Sequence, residues 1–471
     1  MRRYGTSVLV FLFVFVVAQL ALGWVASRKI GSTDDYLVAG RRLGPWLTAI
    51  SIFATWFGAE SCIGAAGAAY SSGWGWHTTE PFAYGVCLIG MGLWFAAPLW
   101  RLGITTLADF FRLRFGPRTE HLAAVLLLPS SLLWAAAQIR AFGHIVATNS
   151  GGDLSLDVAT ALAAAVAVAY TVSGGLLADV YTDVIQGAIL VAGLATLGCA
   201  VLLALPEASP GVSGPPAALP TDLTSSGSGW QLLEAWAVPI CGSLVAQEAV
   251  SRSLAARSAS IARRGAIAGG LAYLLIGLIP LLLGAVGPRL APGLADSEMI
   301  LPELSRELLP ELLNLLFAGA LIAAILSTVD SCLLVVASIL TRNVFRPPTG
   351  TNQARRGLAR ARWATVFAGA GAYALACTGW NVKELVTEAS GFGSAGIFLL
   401  ACLGVHSRVG GGRAAVACLL AGLLGWIGGR YVLDLELPYL GSLAAAGLAF
   451  LGGCWWERHR SPTMPSGAAP Q

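Results

Sequence analysis

Charge is what this chain has least of. Asp, Glu, Lys and Arg make up 11% of its 471 residues while 56% are hydrophobic, against roughly 25% charged in soluble domains. That excludes an ordinary water-soluble domain. The net charge of +4 rests on too few groups to build a nucleic-acid surface. Nine cysteines (Cys62, Cys87, Cys199, Cys241, Cys332, Cys377, Cys402, Cys418 and Cys454) show no C-x-x-C spacing and all fall in apolar segments. They read as small core residues, neither disulfides nor metal ligands. Five histidines are scattered without ligand spacing. There is no phosphate-binding loop and no nucleophile elbow, which argues against an ATP-driven pump and against an enzyme.

What is present is a succession of apolar runs, each near the length that crosses a bilayer. We count about thirteen, each near the ~20 residues that cover ~30 Å of hydrocarbon. They begin near Thr6, Leu43, Pro81, His121, Leu154, Thr182, Trp230, Gly265, Glu311, Trp363, Lys383, Gly412 and Tyr439. The first run, 6–26, is too long for a signal peptide and no small-residue cleavage site follows it. The reading is a polytopic all-α membrane protein forming one transmembrane domain over 1–471.

Arginines set the orientation. They gather at Arg28, Arg41 and Arg42, at Arg101, Arg112, Arg114 and Arg118, at Arg252, Arg257, Arg263 and Arg264, at Arg342, Arg346, Arg355, Arg356, Arg360 and Arg362, and at Arg408 and Arg413. Alternate loops carry few, and the stretch 206–229 has none. By the positive-inside rule the Arg-rich loops are cytoplasmic, which puts the N-terminus outside and the C-terminus inside a plasma (inner) membrane. The polar tail 457–471 is then cytoplasmic and too short for a signalling domain.

The most informative stretch is Ala324-Ile-Leu-Ser327-Thr328-Val-Asp330-Ser331, three hydroxyls and a carboxylate inside a segment otherwise apolar from Leu315 to Ala337. An ionisable group at the bilayer centre costs roughly 2.5–3.5 kcal/mol on insertion scales, so such groups face an ion path, a cavity or a partner. Two other segments are interrupted. The second holds Gly58, Gly64 and Gly67 around Glu60, and the seventh holds Pro239 and Gly242 at its middle. Paired interruptions five segments apart point to an inverted-repeat secondary transporter with its substrate site at the breaks. A channel would need a continuous selectivity lining instead.

The residues resemble the sodium:solute symporters over roughly 6–455. The resemblance is carried by Asp35-Tyr36-Leu-Val-Ala-Gly40-Arg41-Arg42, Leu107-Ala-Asp109-Phe110, Tyr170-Thr-Val-Ser-Gly174-Gly175, Tyr181-Thr182-Asp183-Val-Ile-Gln186 and Ala324 to Ser331. It implies a five-plus-five inverted repeat of the leucine-transporter type, with repeats over 43–205 and 230–408, a flanking first helix, and C-terminal helices over 412–456. It implies that Na+ is the coupling ion, with no organic cofactor. The sodium site would use the carbonyls of Ala54, Phe57 and Ala324 with the hydroxyls of Ser327 and Thr328. Some members hold a second cation at the positions of Asp183, Asp330 and Ser331; Asp183 at the end of a segment could equally serve as a gate or an N-cap. The expected partners are a small-molecule substrate and the lipid bilayer, with no nucleic acid, and the expected assembly is a monomer or weak oligomer.

Within the family the chain is most similar to high-affinity choline transporters, at Ala54-Thr55-Trp56, Tyr84, Trp134-Ala-Ala-Ala137 and Met299-Ile-Leu-Pro302. Trp56, Tyr84 and Trp134 could box a quaternary ammonium by cation–π attraction. Glu60, Ser61, Ala246 and Gln247 complete the candidate substrate set. Two positions depart from the choline pattern: Ala246 stands where those transporters have a tryptophan, and Glu60 where they have glycine. Sugars, proline-like amino acids and small carboxylates therefore stay open as substrates, as does a transport-inactive solute sensor.

Overall fold

A computed structural model describes residues 33–73, 75, 78–150, 154–205, 228–345 and 353–460, together with positions 14, 17, 18, 21 and 25. Most of the predicted helix over 6–26 and of the 206–229 stretch, and the tail beyond 460, lie outside these residues. The chain starts with a short helix α1 (Thr33–Val38) and then α2 (Pro45–Trp56). After α2 come a π-helical turn, Glu60–Gly64, and α3 (Ala65–Ser72). Next are α4 (Phe82–Gly90, running on to Arg101), α5 (Leu107–Phe115), α6 (Pro117–Asn149) and α7 (Leu156–Ala204). The second half holds α8 (Gly229–Ser243), α9 (Gln247–Ala255), α10 (Ala259–Leu290), α11 (Ile300–Leu308), α12 (Glu311–Ile339), α13 (Gln353–Ala376), α14 (Val382–Gly391) and α15 (Ser394–His406). It closes with α16 (Gly412–Ile427) and α17 (Pro438–Arg460).

Among the described residues, seven helices are long and apolar enough to cross a membrane, and nine if two bent pairs each count as one span. Those pairs are α2 with Glu60–Ser72, bent by 62°, and α14 with α15, bent by 43°. The difference from about thirteen has physical sources. The segments expected from Leu154 and from Thr182 form one helical run of 49 residues, which at 1.5 Å per residue is far too long for a single straight crossing of ~30 Å. The run turns at Gly175, whose φ of 56° and ψ of −179° only glycine adopts readily. A Cβ there would also lie 2.4 Å from the Tyr36 ring. The seventh segment is broken into α8 and α9, each short, and α13 begins with a run of arginines.

The organising element is α12, whose apolar window is buried throughout. It packs against α7, α6, α2 and α13. A helix hydrophobic all round is a core helix, so α12 is surrounded by protein and not by lipid. Its hydroxyls and carboxylate can therefore be served only by neighbouring helices. The cysteines are all free thiols, and Cys199 on α7 and Cys377 in the turn after α13 are exposed, so the reading of every cysteine as a core residue fails for these two. Trp46, Trp230 and Trp455 are exposed near helix ends, where amphipathic rings suit a membrane interface.

Candidate functional site

The site begins where α2 stops. Phe57 leaves helical geometry (φ −86°, ψ 70°). The Gly58 amide bonds the Trp56 carbonyl at 3.1 Å, not the Ala54 carbonyl four residues back, so the Ala54 oxygen is released from its helical donor. The Ala59 amide is taken up by Gln138 Oε1 on α6 at 2.8 Å. Close packing fixes what faces the break. A Cβ on Gly58 would lie 2.6 Å from Gln138 Oε1 and 2.7 Å from Thr328 Oγ1. The broken backbone of α2 is thus seated directly on the α12 hydroxyl stripe.

That stripe is satisfied in a definite pattern. Thr328 donates to the Ala324 carbonyl at 3.3 Å, and Ser327 donates to Asp183 Oδ1 on α7. The other Asp183 oxygen accepts from Ser51 on α2. Ser331 donates to the Ser327 carbonyl at 2.8 Å and lies 3.3 Å from the Thr55 hydroxyl. Asp330 accepts from Thr171 on the other side of the Gly175 turn. All five expected sodium ligands, Ala54, Phe57, Ala324, Ser327 and Thr328, are buried where α2 and α12 meet. Oxygen-only ligands suit a small hard cation. Asp183 lies inside α7, well past its turn, so the N-cap alternative is overturned.

Arg252 also corrects the topological reading. It was grouped with the loop arginines, yet its side chain is 0% exposed and pairs with Asp179 on α7. It donates to Ser331 as well. Its Nε and Nη1, and Asp179 Oδ1, have no hydrogen-bond partner. The Asp179/Asp183 spacing of four places both carboxylates on one face of α7, a signal present in the sequence. Burial of Arg252 had none, because counting loop cations says nothing of side-chain depth.

The aromatic candidates converge. Trp56 and Trp134 meet edge to face with ring centroids 4.9 Å apart, and Tyr84 lies 6.2 Å from Trp134. The Tyr84 hydroxyl bonds Ser390 Oγ on α14 at 3.1 Å and also reaches Glu60. Ser390 in turn is 3.3 Å from Ser243 at the end of α8. Ser61 bonds the Tyr273 hydroxyl on α10 at 2.6 Å. Gln138, Glu80, Tyr273, Asp179 and Ser390 were not among the expected residues; each pairs across helices remote in sequence. Ala246 lies at the break between α8 and α9, beside a cavity of about 20 Å³ lined by Ser131 and Glu248. Gln247 does not join the rings: its amide accepts from Leu107 N at 2.6 Å and faces the Thr105 carbonyl, bracing the loop before α5. Among the described residues no three His, Cys, Asp or Glu side chains gather as metal ligands.

Comparison with known proteins places this geometry. The human high affinity choline transporter 1 is 28% identical over 396 residues, covering 78% of this chain and 67% of its own length. The chain spans 56 to 67% of the curated choline transporters it matches. The osmoregulated proline transporter OpuE of Bacillus subtilis is 28% identical over 366 residues, 72% of this chain and 71% of that protein. These relatives are transporters, not enzymes. A Na+-coupled sialic acid symporter in a substrate-bound outward-open state superposes with a TM-score of 0.77 at 18% identity, over 97% of this chain and 98% of that one. This likeness shows the leucine-transporter-type fold. The model of the sodium:solute symporter family matches residues 36–422, and the chain belongs to that family.

Proposed function

We propose that the protein is a sodium-coupled secondary active symporter that imports a small organic solute by alternating access across the plasma membrane, with its N-terminus outside and its C-terminus in the cytoplasm. The observation that carries this is the seating of the α2 break on Thr328, with Ser327 one residue away. It supports Na+ held by Ala54, Phe57, Ala324, Ser327 and Thr328, so that the ion reads the relative position of two helices. One Na+ entering down a potential of 100 mV contributes about 2.3 kcal/mol per charge, which drives accumulation without ATP. Asp183, Asp330 and Ser331 are better read as a gate than as a second cation site, since Arg252 supplies positive charge beside Ser331 and Thr171 holds Asp330.

The ring cluster of Trp56, Tyr84 and Trp134 beside Glu60 and Ser61 supports an ammonium-bearing substrate, choline among the candidates. A proline-like amino acid, a sugar or a small carboxylate is the alternative. The test is the thermal stability of detergent-purified protein in sodium against potassium chloride, with and without each class of solute, because a ligand of the folded state raises stability by mass action. A sodium-specific rise enlarged by one solute supports coupled binding. A rise identical in both salts overturns the sodium site.

A further inference from the structure

Glu60 has a partner that the sequence does not announce. Glu80, just before α4, is 8% exposed, and its two carboxylate oxygens accept from the Tyr273 hydroxyl at 2.7 and 2.9 Å. Tyr273 is fully buried and bonds Ser61, the neighbour of Glu60. Glu80 is thus linked through the Tyr273 hydroxyl to Ser61, the residue that follows Glu60 at the start of the π-helical turn. Glu60 keeps part of its surface accessible. An ionised carboxylate only accepts hydrogen bonds and has about four lone-pair sites. Tyr273 has one proton for Glu80, and the Tyr84 hydroxyl is shared with Ser390. Among the described residues, most of the accepting capacity of these two acids is therefore left for something that brings both positive charge and donors.

A second observation comes from the rings. The Trp56 side chain is 2% exposed and its indole Nε1 has no hydrogen-bond partner. It belongs to the same ring cluster as Tyr84, which reaches Glu60. A buried N–H without an acceptor is costly unless a ligand supplies one. The two features ask for opposite ends of one molecule.

We infer that the substrate is a small protonated amine that keeps at least one N–H and also carries an oxygen acceptor, its N–H donors directed to the Glu60/Glu80 pair and its oxygen to the Trp56 indole. This deepens the symporter reading and rests on it. A quaternary ammonium has no N–H to offer, so it would neutralise the acids without filling their lone pairs.

The decisive comparison is an N-methylation series on the unaltered protein: ethanolamine, its mono- and dimethyl derivatives, and choline, each titrated in sodium chloride with thermal stability as the readout. The charge and the hydroxyl stay constant across the series while the N–H groups disappear. The expected result is a loss of affinity of about tenfold or more at the last step, where the final N–H is removed. Glu60→Gln and Glu80→Gln should flatten the series while keeping the stabilisation by sodium alone, which also reports that the variants fold; a variant lacking that stabilisation is set aside and the unaltered protein decides. Choline binding as tightly as its N–H analogues overturns the inference and leaves the symporter reading standing. So does a sodium effect that no member of the series enlarges. Absence of any sodium effect overturns both.

Discussion

The Ser327 hydroxyl of α12 donates to the Asp183 carboxylate of α7, and Asp183 accepts from Ser51 of α2 with its other oxygen. One acid therefore ties together the helix that bears the proposed sodium hydroxyls and the helix whose break supplies the carbonyls. Thr328, the next residue, is left to its own helix and to the break. Removing each hydroxyl should have different consequences.

Thr328→Ala takes away an oxygen that faces the break and little else. Sodium required for half-maximal uptake in proteoliposomes should rise by about tenfold or more, the equivalent of one lost charge-assisted contact. Substrate affinity at saturating sodium should change little. An unaltered sodium dependence would remove Thr328 from the site.

Gly58→Ala adds a Cβ 2.6 Å from Gln138 Oε1 and 2.7 Å from Thr328 Oγ1. Overpacking of this kind costs about 1–3 kcal/mol, and here it also separates α2 from α12. Sodium activation should weaken together with thermal stability. Gly44→Ala, where nothing lies within 4 Å of the added carbon, should stay within about 0.5 kcal/mol.

Arg252→Ala strands Asp179 in a dry interior. The expected loss is about 3–5 kcal/mol of stability, read in a denaturation series. The double variant Arg252→Ala/Asp179→Ala should recover much of it, because the stranded charge leaves with its partner. A double variant as unstable as the single would show that Arg252 serves packing and not the pair.

Gly175→Ala should be destabilising by about 1–3 kcal/mol, since φ 56° with ψ −179° is a region that non-glycine residues avoid. Adding Tyr36→Ala removes the ring clash and leaves the backbone strain, so it should rescue only partly. Full rescue would mean that the contact alone mattered.

Trp56→Phe keeps a ring against Trp134 and loses the indole N–H, while Trp56→Ala loses both. Solute binding should weaken in the first and fall by about thirtyfold in the second, the worth of a desolvated cation–π contact. Stabilisation by sodium should survive in each. Normal solute affinity in Trp56→Ala would assign the ring to packing.

The features legible in the sequence were those that break a local rule. Gly58 and Glu60 interrupt an apolar run, Ser327 to Ser331 load hydroxyls onto another, and Pro239 with Gly242 announces the end of α8; the structure has a break or a buried polar stripe at each. The Trp56, Tyr84 and Trp134 rings lie against one another. Pairings between remote segments had no local mark. Glu80 and Tyr273 are 193 positions apart, and nothing near either residue names the other. Arg252 misled for a related reason: in the sequence it reads as one more loop cation, and only the packing of α9 against α2 and α12 encloses it. Gln247, expected at the solute, instead holds the α5 loop through Leu107, because the break at Ala246 fixes where α9 starts and which way its first residues face.

The last residue of α8 and the last turn of α9 are fastened by different chemistry. Ser243 joins Ser390 and Tyr84 through neutral hydroxyls alone, whereas Arg252 joins Asp179 through opposite charges. A hydroxyl gives up one partner and takes water at a net cost of about 0.5–1.5 kcal/mol. Parting a buried ion pair requires both ions to be rehydrated, at a cost of several kcal/mol if water arrives late. The hydroxyl clasp can open and reclose many times for each release of the charged latch. If the helices part during a cycle, the Arg252–Asp179 pair is the costlier of the two contacts to release.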